Sequence, residues 1–476
     1  VAAGSVGIIG AGAITQRDDD PESLDELNLM AAAVRAAERD ADRSLASDVD
    51  VIMVPQGSWP HANPAGALGA LVGADHARTV LAQIGVLQST MVGRAVELVA
   101  SGSARSVLVA GGEARSRQRR AALGAGASIA RDADGTWPAP DETWSPSADI
   151  LSPVEIERGL VVPAAQYALL DSAMRIAAGQ SLGEHRRDVA RLWARSSEIA
   201  ADNPLAWSRQ PRSVEDIDLP SATNRPMAYP YNKWHCSQWN VDQAAALFIG
   251  SLPDGSGVHI RSVTESNVMV PVVERDRLDQ SPGFAAAWAE ASAGSGLDID
   301  EIDLIELYSC FPAAVRIQAA ELAVPSGRDV TVTGGMTFGG GPLNNFVLQA
   351  LAAVSAAIRA GRGRTALVTS VSGMLTKQGC VVLADHAGPA ARLIDVSDQV
   401  TPSRRVVSDA VRGPATVVSY TVAYEQLAAT SVTAIVEDDA GQRTVAVSHD
   451  ADLAARVVIE ELGGATVSVT GDAFTV

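Results

Sequence analysis

At 476 residues, 47% apolar and 20% charged, the chain is too long for one ordinary core and too apolar to be disordered, so two to four folded domains are expected. Its 37 basic and 56 acidic residues leave a net charge of −19, which argues against nucleic acid or an anionic membrane surface as partner but leaves room for a local basic pocket. Three cysteines, Cys236, Cys310 and Cys380, stand too far apart for a disulfide framework or a zinc site, so no metal is expected.

Taken in chain order, Val6-Gly7-Ile8-Ile9 reads as a first strand. It runs into Gly10-Ala11-Gly12, where a dinucleotide-binding loop fails because Thr15 stands in place of the third glycine; a strand end with a tight loop is expected instead. Leu24, Leu27, Ala31 and Val34 then recur at helical spacing. Residues 48–54 form an acidic lead into an apolar strand, 78–83 read as an edge strand, and a helix from about Val86 ends at Gly102 before the strand at 106–109. Residues 117–255 lose this alternation and are richer in Trp, Pro and Arg, as an inserted domain would be. The alternation resumes with a strand at 258–263, a helix at 284–293 and an acidic-led strand at 301–307. The apolar run 346–358 is read as a buried helix, short of the ~20 residues that span a bilayer. No signal-peptide pattern opens the chain, and with three unpaired cysteines this points to a reducing, cytoplasmic setting. Beyond about residue 389 the texture changes. Strands at 417–422 and 432–436, a turn at Asp438-Asp439-Ala440-Gly441, a strand at 444–447, a helix from Asp450 to Leu462 and a last strand at 465–469 make a small separate α/β unit.

The chain repeats itself. Asp48-Val49-Asp50-Val51-Ile52 matches Glu301-Ile302-Asp303-Leu304-Ile305 at an offset of 253, and Gly102…Arg105-Ser106-Val107 matches Gly361…Arg364-Thr365-Ala366 at an offset of 259. Two pairs in register indicate a duplicated domain whose strands are buried on both faces.

A duplicated α/β domain with a long insertion resembles the thiolase superfamily. Ser106-Val107-Leu108-Val109-Ala110-Gly111-Gly112-Glu113 is similar to that family's strand ending in Ala-Gly-Gly-x-Glu. Glu306-Leu307-Tyr308-Ser309-Cys310-Phe311 is similar to its Asn-Glu-Ala-Phe or His-Asp-Cys-Phe loop, and 333–343 to its Gly-Gly…Gly-His-Pro segment. The likeness covers residues 5–388 and is strongest to sterol-carrier-protein-type thiolases and bacterial thiolase-like proteins of type 1, which carry an additional C-terminal domain. It implies a five-layered αβαβα fold divided at 1–116 (N-terminal half), 117–255 (inserted loop domain), 256–388 (C-terminal half) and 389–476 (additional domain).

The resemblance also implies a site, and the sequence departs from it. Thiolases need a nucleophilic thiolate at a helix N-terminus, an activating histidine and a second acid/base. The nucleophile position maps near Gly85, with no cysteine in reach; Ser89 stands nearby without a histidine to activate it. The Gly-His-Pro histidine maps to Gly341, and the final Cys-x-Gly cysteine to Ser370. Leu375-Thr376-Lys377 is kept, but Gln378 stands where related bacterial proteins have histidine. Cys310 is the remaining candidate acid/base, preceded by Tyr308 and Ser309, though a small buried thiol packing in a loop is the commoner reading of such a cysteine. Gly339, Gly340, Ser372 and Gly373 are implied ligand contacts, and Lys233 is either a ligand contact or a loop contact.

Three functions follow as expectations: a binder of coenzyme A or acyl-CoA in lipid metabolism without thiolase turnover and without a permanently bound cofactor; an acyltransferase or thioesterase acting through Cys310; or a scaffold for an active enzyme. Its ligand would be an acyl-CoA or lipid-derived thioester. Family members pair through the edge strand at 78–83, but the charged Arg78 at its start tips the expectation towards a monomer over a homodimer.

Overall fold

The computed structural model describes residues 5–17, 23–123, 137–146, 150–252 and 257–476. In the N-terminal half, β1 (Val6–Thr15), β2 (Val51–Pro55), β3 (Arg78–Ala82) and β4 (Ser106–Ala114) alternate with α1 (Glu26–Asp40), α2 (Pro64–Val72) and α3 (Gln88–Ala100). Strand side chains alternate between two sides. Ile52, Val54 and Leu108 pack under α1 and α2, while Val51, Met53, Val107 and Val109 pack against α3. That two-sided burial explains the uninterrupted apolar runs.

An inserted region follows: α4 (Arg115–Leu123), β5 (Glu142–Trp144), α5 (Pro153–Glu157), α6 (Pro163–Ala177), α7 (Leu182–Asp202), α8 (Val214–Asp218), β6 (Pro226–Ala228) and β7 (Tyr231–Asn232). It ends earlier than residue 255, because β8 (Asp242–Ser251) lies between β1 and β4 and belongs to the N-terminal half. Its run Ala244-Ala245-Ala246-Leu247-Phe248-Ile249 is fully buried, as a central strand requires.

The C-terminal half repeats the pattern with β9 (Val258–Asn267), α9 (Pro282–Ser295), β10 (Leu304–Glu306), α10 (Pro312–Glu321), α11 (Phe346–Arg359), β11 (Thr365–Ser372) and β12 (Lys377–Ala384). Leu367 and Val382 face the α9–α10 side, whereas Ala366, Val368, Val381 and Leu383 share a core with α11 and α3. Two helical layers outside, two sheet layers and a shared helical centre make five. The halves join where β1 pairs antiparallel with β9 at Gly7↔His259 and Ile8↔Val258.

The duplication extends to hydrogen bonds. The Asp50 carboxylate accepts the Arg105 main-chain N–H at 2.6 Å, and Asp303 accepts that of Arg364 at 2.7 Å. Ser106 and Thr365 donate their hydroxyls to the carbonyls of Asp48 and Glu301 at 3.0 and 2.5 Å.

Four local expectations are corrected. Gly10 and Gly12 lie inside β1 rather than in a tight loop; a Cβ at Gly10 would come within 2.3 Å of the Ala37 carbonyl, so glycine lets α1 lie directly on the strand. Helix α1 begins at Glu26 under an Asp25 cap and leaves Leu24 exposed ahead of it. Helix α3 begins at Gln88, two residues after Val86. Strand β3 is not an edge: β5, from the insertion, pairs with it in parallel at Val80↔Glu142, Leu81↔Thr143 and Ala82↔Trp144.

After β13 (Leu393–Asp395), which pairs with β9, the tail contains β14 (Val406–Val407), β15 (Gly413–Glu425), β16 (Ala428–Glu437), β17 (Gln442–Ser448), α12 (Ala451–Arg456), β18 (Thr466–Thr470) and β19 (Ala473–Thr475). The order β14-β17-β16-β15-β18-β19, with β19 also touching β17, closes the sheet into a barrel-like ring. Helix α12 is capped by Asp450 as expected but stops at Arg456, short of Leu462; the Val457 carbonyl is taken by the Tyr420 hydroxyl at 3.0 Å. The tail rests on the insertion through Ser419 Oγ to the Leu169 carbonyl (2.6 Å) and Thr421 Oγ1 to the Tyr229 carbonyl (2.7 Å).

Candidate active site

The first turn of α3 carries Ser89, and β11 brings Ser370 towards it from the other half. Their Oγ atoms lie 2.6 Å apart, both fully buried. A Cβ at Gly379 on β12 would fall 2.2 Å from Ser89 Oγ, so glycine there is what lets the pair close. Gln88, one residue earlier, ties the central helices together: its Nε2 donates to Asn344 Oδ1 at 2.6 Å, and its Oε1 accepts from the Val347 N–H at 3.3 Å. Gly85 stands three residues ahead of α3 with φ of 103°, so the residue in the first helical turn facing Ser370 is Ser89. The Gly85 carbonyl accepts from Lys377 Nζ at 3.4 Å. Lys377 is almost wholly buried, and burial lowers its pKa.

Gly341 lacks a side chain, and the space where one would lie is occupied. A Cβ there would be 2.1 Å from Ser237 Oγ, while its N–H donates to the Gln238 carbonyl at 2.9 Å. Gly339 and Gly340 are also buried. The Gly339 carbonyl accepts Gln243 Nε2 and the Trp207 N–H, each at 2.9 Å, and Gly340, at φ of 109°, leaves room for the Gln243 Oε1.

Below this segment Glu306 is an organising carboxylate. It accepts the N–H groups of Val332 and Thr333 at 2.6 and 2.8 Å and the hydroxyls of Thr331 and Thr333 at 2.8 and 2.9 Å. Burial pushes its pKa up to about 7, against the pull of those four donors. Both threonine hydroxyls in turn accept the Gly335 N–H, fixing the start of the glycine segment.

Of the candidates on the following loop, Ser309 Oγ accepts the Met336 N–H at 2.9 Å, so it holds the same segment. Tyr308 donates its N–H to Thr369 Oγ1 at 2.8 Å and packs edge-on to Phe346. Cys310 keeps some surface exposed, but burial of its sulfur pushes the thiol up to about 12. Its carbonyl accepts the Ser237 N–H at 3.0 Å. Cys310 and Gly341 are therefore bridged by Ser237.

The other candidates serve different surroundings. Ser372 ends β11 opposite Lys377, and the Gly373 carbonyl accepts Thr376 Oγ1 at 2.6 Å and Arg275 Nη2 at 3.4 Å. Lys233 is exposed, its Nζ 4.9 Å from the Trp234 ring, which stacks on Phe338. Sequence reasoning missed Ser237, Gln243 and Glu306. The last two had a signal: each is a polar residue, buried in the structure, at one end of an apolar strand. Ser237 had none. Among the described residues no group of three or more His, Cys, Asp or Glu side chains is placed to hold a metal, and no helix is long and apolar enough to cross a membrane.

A duplicated five-layer α/β core, with the N-terminus of a central helix of one half meeting a strand of the other, defines the class as the thiolase fold. No family model and no curated protein matches the sequence. Among solved structures, a monomeric SCP2-thiolase-like protein type 1 from Mycobacterium smegmatis matches at 25% identity and a TM-score of 0.80, over 99% of this chain and 98% of that one. The Ltp2–ChsH2(DUF35) aldolase matches at 21% and 0.58, over 81% of this chain and 99% of that one. Human mitochondrial 3-ketoacyl-CoA thiolase in complex with CoA matches at 16% and 0.54, over 81% and 98%. The chain thus has the fold of the thiolase superfamily, and its likeness to the SCP2-thiolase-like protein type 1 runs through the C-terminal domain as well.

Proposed function

We propose that this chain is a thiolase-fold protein of acyl-CoA metabolism that holds coenzyme A or an acyl-CoA thioester and carries out no thiolysis. The observation that carries the reading is the closed pair of Ser89 and Ser370 at the junction of the halves. Thiolysis begins with a thiolate attacking a thioester carbonyl, and a base must take the thiol proton. Here two neutral hydroxyls satisfy one another, and among the described residues no imidazole bonds to either. A hydroxyl without a base is a poor nucleophile at neutral pH. Ser237 fills the space beside Gly341 where a histidine would need to sit.

The competing reading, an acyltransferase or thioesterase acting through Cys310, needs an activated thiolate. Burial drives that thiol the other way, to about 12. Support for a coenzyme A ligand comes from the shared fold, one example of which is described in complex with CoA. The reading also takes the chain to be a monomer, because β5 already occupies the strand edge at β3.

The test is calorimetric titration of the full chain with coenzyme A, acetyl-CoA and longer acyl-CoAs, run beside an acetoacetyl-CoA thiolysis assay. Saturable binding without turnover is expected. Absence of binding to every member of the series sinks the ligand assignment, and turnover beyond that of a catalytically dead control sinks the rest.

A further inference from the structure

A second cavity lies on the face of the C-terminal sheet opposite Ser89. Successive residues of β12 point to opposite faces. Gly379 meets Ser89, and Gln378 therefore points the other way, into a cavity of about 200 Å³ beneath the first turn of α9. The outer wall of this cavity is the linker to the C-terminal domain, residues 400–403, held by the Asp276 N–H donating to the Ser403 carbonyl at 3.2 Å and by a β-bridge between Arg275 and Arg404. The cavity is thus built jointly by the duplicated core and the segment that follows it.

Its polar lining is unsatisfied. Gln378 is 2% exposed, its carboxamide makes no hydrogen bond within the described residues, and its Oε1 is buried. Its cross-strand partner Ser266 is fully buried with an unpartnered hydroxyl. Gly283, at the start of the 14-residue α9, sits where a Cβ would fall 1.6 Å from Gln378 Nε2, so any other residue would displace the amide. Ser281 does not cap α9, since its hydroxyl donates to the Leu375 carbonyl at 2.8 Å, and the Gly283 N–H is left open. A helix N-terminus with open N–H groups favours an anion.

The charge balance points the same way. Arg275 lines the cavity at 7% exposure and donates only to carbonyls, through Nε to Val270 at 3.1 Å and Nη2 to Gly373 at 3.4 Å. No carboxylate comes within ion-pair distance of it among the described residues. Of the other charged groups in the lining, Arg277 is engaged by Asp279, and Asp276 by Arg405. The buried Glu155 carboxylate acts on Arg275 only from beyond ion-pair distance, its oxygens taken by the Ser152 and Val273 N–H groups. A buried cation without a directly paired counter-ion is costly unless something supplies one. The remaining walls mix the apolar Val268, Val270, Leu375 and Val400 with polar side chains such as Gln280 and Thr401.

From this geometry we infer that the cavity between α9, Gln378, Arg275 and the interdomain linker binds a small carboxylate with a short apolar chain. The carboxylate would accept from Arg275, the Gln378 amide and the Gly283 N–H while its carbon chain lies along the valines. A volume below that of drug-sized pockets limits the ligand to roughly four to six carbons.

The test is calorimetry on the full chain with butyrate and hexanoate, with hexanol and hexanamide as neutral controls and inorganic phosphate as an anion without a chain. A Kd of about a millimolar or tighter is expected for the carboxylates, with at least a tenfold loss for the neutral compounds. Gln378→Leu should weaken hexanoate about tenfold. Thr401→Trp, made at an exposed linker position, should block it while leaving the melting temperature unchanged, so that lost binding is separated from lost folding. Failure of both carboxylates to bind overturns the inference, as do equal binding of hexanol and hexanoate, tighter binding of phosphate, and hexanoate affinity unaltered in folded Thr401→Trp. The coenzyme A titration is unaffected by any of these results, so the two assignments fail separately.

Discussion

The hydroxyls of Ser89 and Ser370 meet 2.6 Å apart, one carried by each half of the duplicated fold. The contact closes the place where the two halves bring their chemistry together, and it accounts for the first prediction. Acetoacetyl-CoA thiolysis should be undetectable in the wild type, and Ser89→Cys should not restore it, because no base stands at Gly341. Adding Gly341→His should destabilise the protein, since its Cβ would meet Ser237 Oγ at 2.1 Å. A spectrophotometric thiolysis assay checks the first two statements and a thermal melt the third.

Cys310 should behave as a protonated thiol. With burial pushing it up to about 12, its thiolate fraction at neutral pH is about three orders of magnitude below that of an exposed cysteine. Alkylation by iodoacetamide, followed by mass spectrometry, should be correspondingly slow and should keep accelerating above pH 9. A plateau near pH 8 at Cys310 would show an ordinary thiol and revive the covalent reading.

Asp171 ties α6 to α7 and α10. Its Oδ1 lies 3.2 Å from His185 Nε2 and 2.9 Å from Arg316 Nη1, and it is fully buried. Burial alone would raise its pKa, but His185 and Arg316 outweigh burial and hold the carboxyl well below its usual range. A carboxyl lowered in the folded state adds stability above the ordinary aspartate pKa, and that stability is lost as pH falls through and below it. Asp171→Asn should destabilise by a few kcal/mol, about 3 at most, at neutral pH by breaking the pair between the buried Asp171 and the half-buried Arg316. It should also flatten the acid limb of stability, as measured by urea unfolding from pH 7 to pH 3.

The chain should be a monomer of 49.3 kDa by light scattering. Strand β5 covers β3, reinforced by the Asp141 carboxylate accepting the Thr79 N–H at 2.8 Å. Thr143→Pro, which breaks the regular strand in β5, should expose β3 and produce concentration-dependent association. A wild-type dimer, or a variant that stays monomeric with β3 freed, would show that another surface governs assembly.

Gly12 places α1 directly on β1. A Cβ there would be 2.4 Å from both the Ala33 carbonyl oxygen and the Ala37 nitrogen. Gly12→Ala should therefore destabilise by about 1–3 kcal/mol, read as a lowered melting temperature. A tight loop at that position would tolerate alanine.

The sequence by itself determined the duplication, the doubly buried strands and the glycines at positions 85 and 341. These are properties of residue identity and of spacing along one chain. The paired leads at Asp50 and Asp303 are legible because a repeated local geometry repeats its residues. Other features depended on contacts between distant segments. That Ser237 fills the space beside Gly341, that β5 covers β3, that Ser89 rather than Gly85 faces Ser370, and that Gln378 opens into a cavity walled by the linker could not be read from local pattern. Partners from 22 to 281 residues apart in sequence are brought together by sheet register and helix packing. Hydrophobic periodicity fixes which face of an element is buried, whereas which side chain it meets there is decided only when the layers close on one another.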